Sequence, residues 1–369
     1  YKPRIFYSME RDFLKEAVKC GERCVLVVDT SAIKKNAEFI IKKTGKKLIA
    51  VVKADGYGLG LEETVNALKK TVPLFAVATA EEAFAVAETG EKALILSPVT
   101  EKELKEIAGK DISVSVSDKE SARAAAESGS DVHIAVNTGM NRYGADCRDI
   151  GTLLEICDAA DRRLKGIYTH FACADKEDIS VTLESEKRFS AVVNVLGKRR
   201  FEYIHSANSA AALRTECTGN AVRAGLALYG ISPDLCNAPL AEVSRFYARI
   251  MHIRLLKDGD ALGYCNGYVA SGVKRIAVIG AGYADGLPYA LKKYGSVLIN
   301  GTICNIVGNV CMDCAFVDVT YARVQEGDYA LVFGGQGEMS YRAQARKCDT
   351  IPYELVTGIS RRVRRVYLA

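Results

Sequence analysis

The chain has 369 residues, enough for one large or two ordinary domains. A net charge of only +5 and the lack of an aromatic–basic stripe argue against a nucleic-acid partner, and no apolar run is long enough to cross a bilayer. Twelve dispersed cysteines without a signal layout point to reduced thiols and a cytoplasmic protein. The opening Tyr1-Lys-Pro-Arg has no initiator Met, so a native N-terminus is expected ahead of it.

Residues 24–28 (Cys-Val-Leu-Val-Val) read as a strand ahead of the main repeat. Residues 48–52 are five apolar residues in a row, as in a buried strand. Lys53 follows at the strand's end, then a loop containing Gly56, Gly58 and Gly60, then helix-like residues 62–70. Burial lowers an amine's pKa, and such an amine attacks carbonyls to form a Schiff base. Glycines before a helix let backbone N–H groups approach an anion. A reactive lysine beside a phosphate cradle suggests pyridoxal phosphate; the plain alternative is a surface lysine at a strand end.

Further short apolar strands follow at 74–78, 93–96, 112–116, 132–136, 166–169, 202–204 and 222–224. Continuous apolarity suits strands buried on both faces. Helical stretches lie between them. Two open on Thr79 and Asp118 with acidic first turns, and they run into Gly90 and Gly129. Eight strand–helix repeats predict an α/β fold, a closed (β/α)8 TIM-like barrel; a doubly wound open sheet is the structural alternative. After about residue 238, segments 247–256, 273–279, 296–299, 303–307, 315–319 and 329–333 are strand-like with Gly, Asp and Asn turns between them. A helix over 352–359 is expected to close the chain. The expected domains are therefore a barrel over 30–238 and a mostly β C-terminal domain over 239–369, with 1–29 packing on the latter.

Cys311 and Cys314 have C-x-x-C spacing. A zinc site would want a second pair or nearby histidines, and the four histidines (133, 170, 205 and 252) are scattered. Their flanks are strand-like, so the two cysteines read as part of a strand pair and no metal site is expected.

In a barrel the chemistry sits at the C-terminal ends of the strands. Lys53 and Tyr57 follow the first strand, Arg142 the fifth and His170 the sixth. His205, Asn208 and Ser209 follow the seventh, and Arg223 lies at the eighth. Each has a structural alternative, such as a satisfied interior histidine, a loop ion pair or a helix cap. Jointly they could bind a phosphate, an aromatic ring and a carboxylate.

These segments resemble those of the alanine racemase family, the fold-type III pyridoxal-phosphate enzymes, over nearly the whole chain. The motifs are Ala50-Val-Val-Lys-Ala-Asp-Gly-Tyr-Gly, Thr138-Gly-Met-Asn-Arg-Tyr-Gly, Thr169-His-Phe-Ala, Asn208-Ser-Ala and Arg223-Ala-Gly-Leu-Ala-Leu-Tyr-Gly. The β-domain adds Gly263-Tyr-Cys-Asn-Gly-Tyr, Gly282-Tyr-Ala-Asp-Gly, Gly308-Asn-Val-Cys-Met-Asp and Ile351-Pro-Tyr-Glu. The resemblance implies interconversion of L- and D-alanine, supplying D-alanine as a cell-wall precursor. By it Lys53 would carry the cofactor and act as one base. Tyr264, from the β-domain of a partner subunit, would be the other, in a homodimer with shared sites. Tyr57, Ser209 and Tyr353 would hold the cofactor phosphate, with backbone N–H groups near Gly225 and Leu226. His170 would pack on the pyridine ring and Arg223 would meet its nitrogen. Arg142 would hold the phenolic oxygen and, with the Met312 backbone, the substrate carboxylate.

The chain departs from that pattern in places. Asp55, Gly56 and Leu59 stand where Asn, Ala and His are common. Ala135 stands where many members have a carbamylated lysine, and Asn137 where they have Asp. A bound anion such as chloride, or the Asn137 amide, is expected to support Arg142 instead. Tyr289 and Asn309 replace arginines common near the substrate's approach, which leaves serine or another small amino acid open as substrate. A pyridoxal-phosphate decarboxylase and a non-catalytic cofactor-binding protein are the other classes. The first lacks a matching motif here, and the second commonly lacks the β-domain.

Overall fold

The computed structural model describes residues 4–232 and 238–369, with side chains from residue 12 onward apart from 199. Residues 1–3 of the opening segment and Cys236 lie outside the described residues. The chain forms two compact units, Ser31–Ala241 and Tyr1–Thr30 with Glu242–Ala369.

The first unit is a closed parallel barrel. Its strands are Lys47–Val51, Leu74–Val77, Ala93–Ile95, Ile112–Val116, Asp131–Asn137, Leu164–Tyr168, Tyr203–His205 and Ala221–Ala224. Each pairs in parallel with the next. The last returns to the first, Ala221 opposite Lys47 through Ala224 opposite Ala50, which excludes the open sheet. The strands are buried along nearly all their length because helices cover their outer faces. Helix starts fall where the sequence signals them. Thr79 and Glu82 form a reciprocal capping box, and the Asp118 side chain accepts from Ser121 N–H at 2.7 Å. Gly90 and Gly129 take the left-handed backbone, at φ +83° and +85°, that ends a helix cheaply.

The second unit is built on the 13-residue strand Ser244–Leu256. Its first half pairs with Tyr329–Gly334 and Cys24–Asp29, and its second half with Lys274–Ile279. The pairing continues through Ala315–Asp318, Thr302–Val307 and Ser296–Ile299 back to Tyr329–Gly334, closing a ring of antiparallel strands. The opening strand Cys24–Asp29 thus joins this sheet.

Three elements differ from expectation. The helix Pro352–Thr357 does not close the chain, because the strand Arg364–Leu368 follows and pairs in parallel with Cys24–Asp29. Its two leading arginines mask an edge strand, and the Arg365 guanidinium turns back and donates to the carbonyls of Ile359, Ser360 and Val363. The helices Arg4–Cys20 and Tyr341–Lys347 were not expected either. In the first, Phe13 and Ala17 pack among Val25, Val27, Tyr247 and Leu331.

Asp285 anchors this unit. It is fully buried and accepts from the guanidinium of Arg23, from Arg362 Nε at 3.0 Å and from Gly282 N–H at 2.9 Å. Arg362 also pairs with Asp313 at 2.6 Å, on the turn that carries Met312. Removing a buried partner strands the opposite charge. Both arginines retain partial solvent contact, so Asp285→Ala is expected to cost about 2–3 kcal/mol, below the cost of a fully buried pair. Urea denaturation read by circular dichroism checks this.

Candidate active site

The first barrel strand ends at Val51, and the chain turns sharply behind Lys53. Ala54, Asp55, Gly56 and Tyr57 all have left-handed backbone, with φ between +55° and +59°. Three of these are not glycine, so the conformation stores strain that neighbours must hold. Glu82 Oε1 accepts from Ala54 N–H at 2.6 Å. Gly56, Gly58 and Gly60 donate to Val52, Ala54 and Asp55 carbonyls. The Asp55 carboxylate accepts from Leu61 N–H at 3.0 Å. At the start of the helix Leu61–Leu68, where an anion cradle was expected, the chain's own carboxylate already takes the first N–H.

Lys53 is half-buried. Burial lowers its pKa from the ordinary lysine value of 10.5, and the charge of Arg142 adds to this, while Glu82 opposes it.

Polar groups gather elsewhere on the mouth. Asn208 caps the short helix Ser209–Arg214 by accepting from Ala211 N–H at 3.1 Å. That places the buried Ser209 hydroxyl to accept from the N–H groups of Gly225 and Ala227, at 3.1 and 3.3 Å. Leu226 is buried, and its N–H has no protein acceptor among the described residues. The Tyr57 ring lies 4.9 Å from that of Tyr229, and its hydroxyl sits against Gly225. Any side chain at 225 would overlap that hydroxyl. Tyr57, Ser209, Gly225 and Leu226 thus lie together at one end of the barrel.

Arg223 lies two residues before this cradle and is buried. Its guanidinium donates to the carbonyls of Thr169 and His205, both at 2.7 Å, and of Ser206 at 3.2 Å. It also reaches His205 Nδ1 at 2.8 Å and His170 Nδ1 at 3.2 Å. Its Nε–H has no acceptor among the described residues. Burial lowers its pKa to about 10, which still leaves it protonated at neutral pH. Because Arg223 donates to His205 Nδ1, the proton of His205 sits on Nε2 and points to His133 Nδ1, 3.0 Å away. Burial, with the charge of Arg223, pushes His133 and His170 down to about 3, so both stay neutral.

Arg142 is exposed, and its guanidinium lies 5.8 Å from the Tyr143 ring centre. It is near enough to disfavour positive charge on Lys53 and His170. The Asn137 amide does not support it. That side chain closes its own loop instead, accepting from the N–H groups of Gly139 and Asn141 and donating to Asn141 Oδ1 at 2.8 Å.

The remaining expected residues belong to the β-rich unit. Tyr264 lies on a short turn, Tyr264–Asn266, and is 72% exposed. Met312 is exposed, and Tyr353 stands on the helix Pro352–Thr357. Cys311 and Cys314 face each other across a two-residue turn between paired strands, with Cys311 N–H donating to Cys314 O at 2.9 Å.

Glu82, His133, Tyr168 and Tyr229 contribute to the mouth and were not singled out from sequence. Tyr168 stacks on His205 with ring centres 5.0 Å apart and donates to Ser115 Oγ at 3.0 Å. His133 occupies the space that Gly166 leaves on the neighbouring strand. Strand alternation was the available signal, since a polar residue inside an apolar run must face a partner.

The family profile "Alanine racemase, N-terminal domain" matches residues 28–233, and "Alanine racemase, C-terminal domain" matches 243–367. An alanine racemase of Halothermothrix orenii is 35% identical over 361 residues, covering 92% of this chain and 95% of the relative. One of Deinococcus radiodurans is 35% identical over 355 residues, covering 93% and 98%. Among solved structures, the alanine racemase of E. faecalis superposes with a TM-score of 0.88 at 32% identity, covering 94% of this chain and 98% of that one. That of Bacillus anthracis with bound L-Ala-P gives 0.85 at 30% identity, covering 94% and 95%. The fold is that of a barrel enzyme with a β-rich companion domain. The chain belongs to the alanine racemase family.

The depressed pKa of Lys53 has a consequence for stability. The folded lysine loses its proton at a lower pH than the unfolded one, so below the folded pKa folding bears the cost of a buried charge. That cost fades as pH rises towards 10.5, where the unfolded lysine is neutral too. Lys53→Met should raise the Tm of cofactor-free protein near neutral pH, with a smaller gain at about pH 10. Thermal melts at the two pH values check it.

Proposed function

We propose that the chain interconverts L- and D-alanine with pyridoxal phosphate, using Lys53 and Tyr264 as bases on opposite faces of the substrate's Cα. The observation that carries this reading is a half-buried, deprotonation-prone lysine on the same barrel mouth as the Ser209–Gly225–Leu226 anion cradle. The residues present fit the cofactor. The Leu226 N–H and the Ser209 hydroxyl suit a phosphate, and the Arg223 Nε–H suits a pyridine nitrogen.

When bound, pyridoxal phosphate supplies the electron-accepting system that acidifies an amino acid's α-hydrogen. Lys53 carries the cofactor and moves the proton on one face of Cα. Tyr264 moves it on the other, and a phenol, with a pKa of ~10 in water, needs a supporting environment to do so. Tyr57, Ser209, Tyr353 and the backbone at Gly225 and Leu226 hold the phosphate. His170, kept neutral, packs on the ring. Arg142 takes the phenolic oxygen and, with the Met312 N–H, the substrate carboxylate. Arg223, which keeps its own proton, would meet the pyridine nitrogen with its Nε–H, and a nitrogen left largely unprotonated there would make the ring a weaker electron sink and disfavour transamination.

Because Tyr264 and Met312 are exposed on the β-rich unit, we place them in the site of a partner copy, in a homodimer with two shared sites. The cysteines among the described residues are unbonded, which supports a reducing, cytoplasmic setting. No helix among the described residues is long and apolar enough to cross a membrane.

Lys53→Ala should abolish racemisation with folding retained, and borohydride should fix the cofactor to the wild-type peptide that carries Lys53. Wild-type activity in Lys53→Ala would sink the reading. Mixing Lys53→Ala with Tyr264→Phe subunits should restore one working site per heterodimer. Verified heterodimers without recovery would count against sharing. A kcat/KM for serine above that for alanine would reassign the substrate.

A further inference from the structure

The turn that presents Tyr264 is held from one side by a single side chain. Gly263 enters it at φ +74° with the Phe316 ring beneath, leaving no room for a Cβ. Cys265 and Asn266 follow in left-handed backbone, at φ +55° and +51°, without the freedom of glycine. Such a segment persists only where its surroundings hold it. Within the turn the Tyr264 carbonyl accepts from Gly267 N–H at 3.1 Å. Its second lone pair accepts from Asn309 Nδ2 at 3.0 Å. Asn309 comes this close because residue 267 is glycine, where a Cβ would overlap the amide.

The amide orientation of Asn309 is fixed from its other end. Tyr289 Oη donates to Asn309 Oδ1 at 3.2 Å, so the nitrogen is left to face Tyr264. The Tyr289 ring in turn lies under the Lys292 ammonium, 4.1 Å from its centre. A chain of contacts thus runs from Tyr289 through Asn309 to the backbone of Tyr264. No other side chain among the described residues bonds to that carbonyl.

We propose that Asn309, oriented by Tyr289, is the positioning residue for Tyr264, fixing the direction in which the phenol approaches the substrate's Cα. This rests on the reading of Tyr264 as a catalytic base. Misplacing a reacting group by about 1 Å can cost on the order of 100-fold in rate. Asn309→Asp keeps the shape and the acceptor for Tyr289 but removes the donor to Tyr264. Tyr289→Phe removes only the group that orients the amide.

The test follows each alanine antipode in D₂O with the cofactor-loaded enzyme, measuring α-hydrogen exchange and inversion separately. Two bases on opposite faces each serve one antipode. Asn309→Asp should slow inversion roughly 10–100-fold while the antipode served by Lys53 still exchanges its hydrogen with retention, as Tyr264→Phe should also allow. Tyr289→Phe should show the same split with a smaller loss. In cofactor-free protein, amide exchange of the peptide spanning 263–268 should rise in Asn309→Asp, with the barrel peptides unchanged. Inversion at the wild-type rate in Asn309→Asp would overturn the proposal, as would equal loss of exchange and inversion. A wild-type enzyme that racemises no alanine would instead overturn the proposed function.

Discussion

Arg223 is a guanidinium carried into the barrel with no carboxylate beside it among the described residues. Its electrostatic neighbours are Tyr168, Arg142 and Cys217, none of them an acid of the Asp or Glu type. Desolvating an unpaired ion costs several kcal/mol, so the chain must replace water with dipoles. It does so with three backbone carbonyls at the ends of the sixth and seventh barrel strands and with two imidazole nitrogens. Those acceptors dictate much else. His205 must keep Nδ1 bare, which sends its proton to Nε2 and on to His133. His133 needs Gly166 beside it for room. His170 must stay neutral or meet the arginine as a like charge.

The same field explains the character of the mouth. Arg223 and Arg142 both disfavour a proton on His170, and Arg142 does so on Lys53. A mouth lined by cations and orphaned donors suits an anion, and the strand-end cradle at Ser209 and Gly225 offers the neutral donors such a group needs. At the helix after Lys53 the first N–H, that of Leu61, is already taken by the Asp55 carboxylate, whose charge disfavours a second anion there. The free donors at the ends of the seventh and eighth strands lie where phosphate sites in barrels commonly lie, which is why the proposed function puts the cofactor phosphate there.

Much of this was legible in the chain. Eight apolar runs gave eight barrel strands within a residue or two, because strands buried on both faces are mostly apolar, with the few polar residues such as Ser115, His133 and Arg223 each facing a partner inside. Thr79, Asp118, Gly90 and Gly129 marked helix ends because caps are local chemistry. What escaped depended on contacts far apart in sequence. The strand Arg364–Leu368 carries two arginines, and only its parallel pairing with Cys24–Asp29 makes it a strand. The glycines behind Lys53 suggested a phosphate loop, yet the neighbouring Asp55 reached the helix start first. Asn137 looked able to support Arg142, but a shorter reach to its own loop prevailed.

The two residues proposed as bases stand on similar backbone. Lys53 precedes a run of left-handed residues, and Tyr264 precedes another. Each run contains residues other than glycine, so neither is stable alone, and each is tied by one distant side chain: Glu82 at Ala54 N–H, and Asn309 at the Tyr264 carbonyl. A sharp left-handed turn projects a side chain away from its element while keeping its Cα close to a rigid strand or sheet. Two groups that must meet one carbon from opposite faces need such projection, together with an anchor against rotation. The anchors differ in chemistry for a physical reason. Beside an amine that must shed its proton, Glu82 is itself tied to the N–H groups of Ala54, Ala78 and Thr79, so only part of its charge acts on Lys53. Beside the phenol the anchor is a neutral amide, which fixes direction without adding a charge.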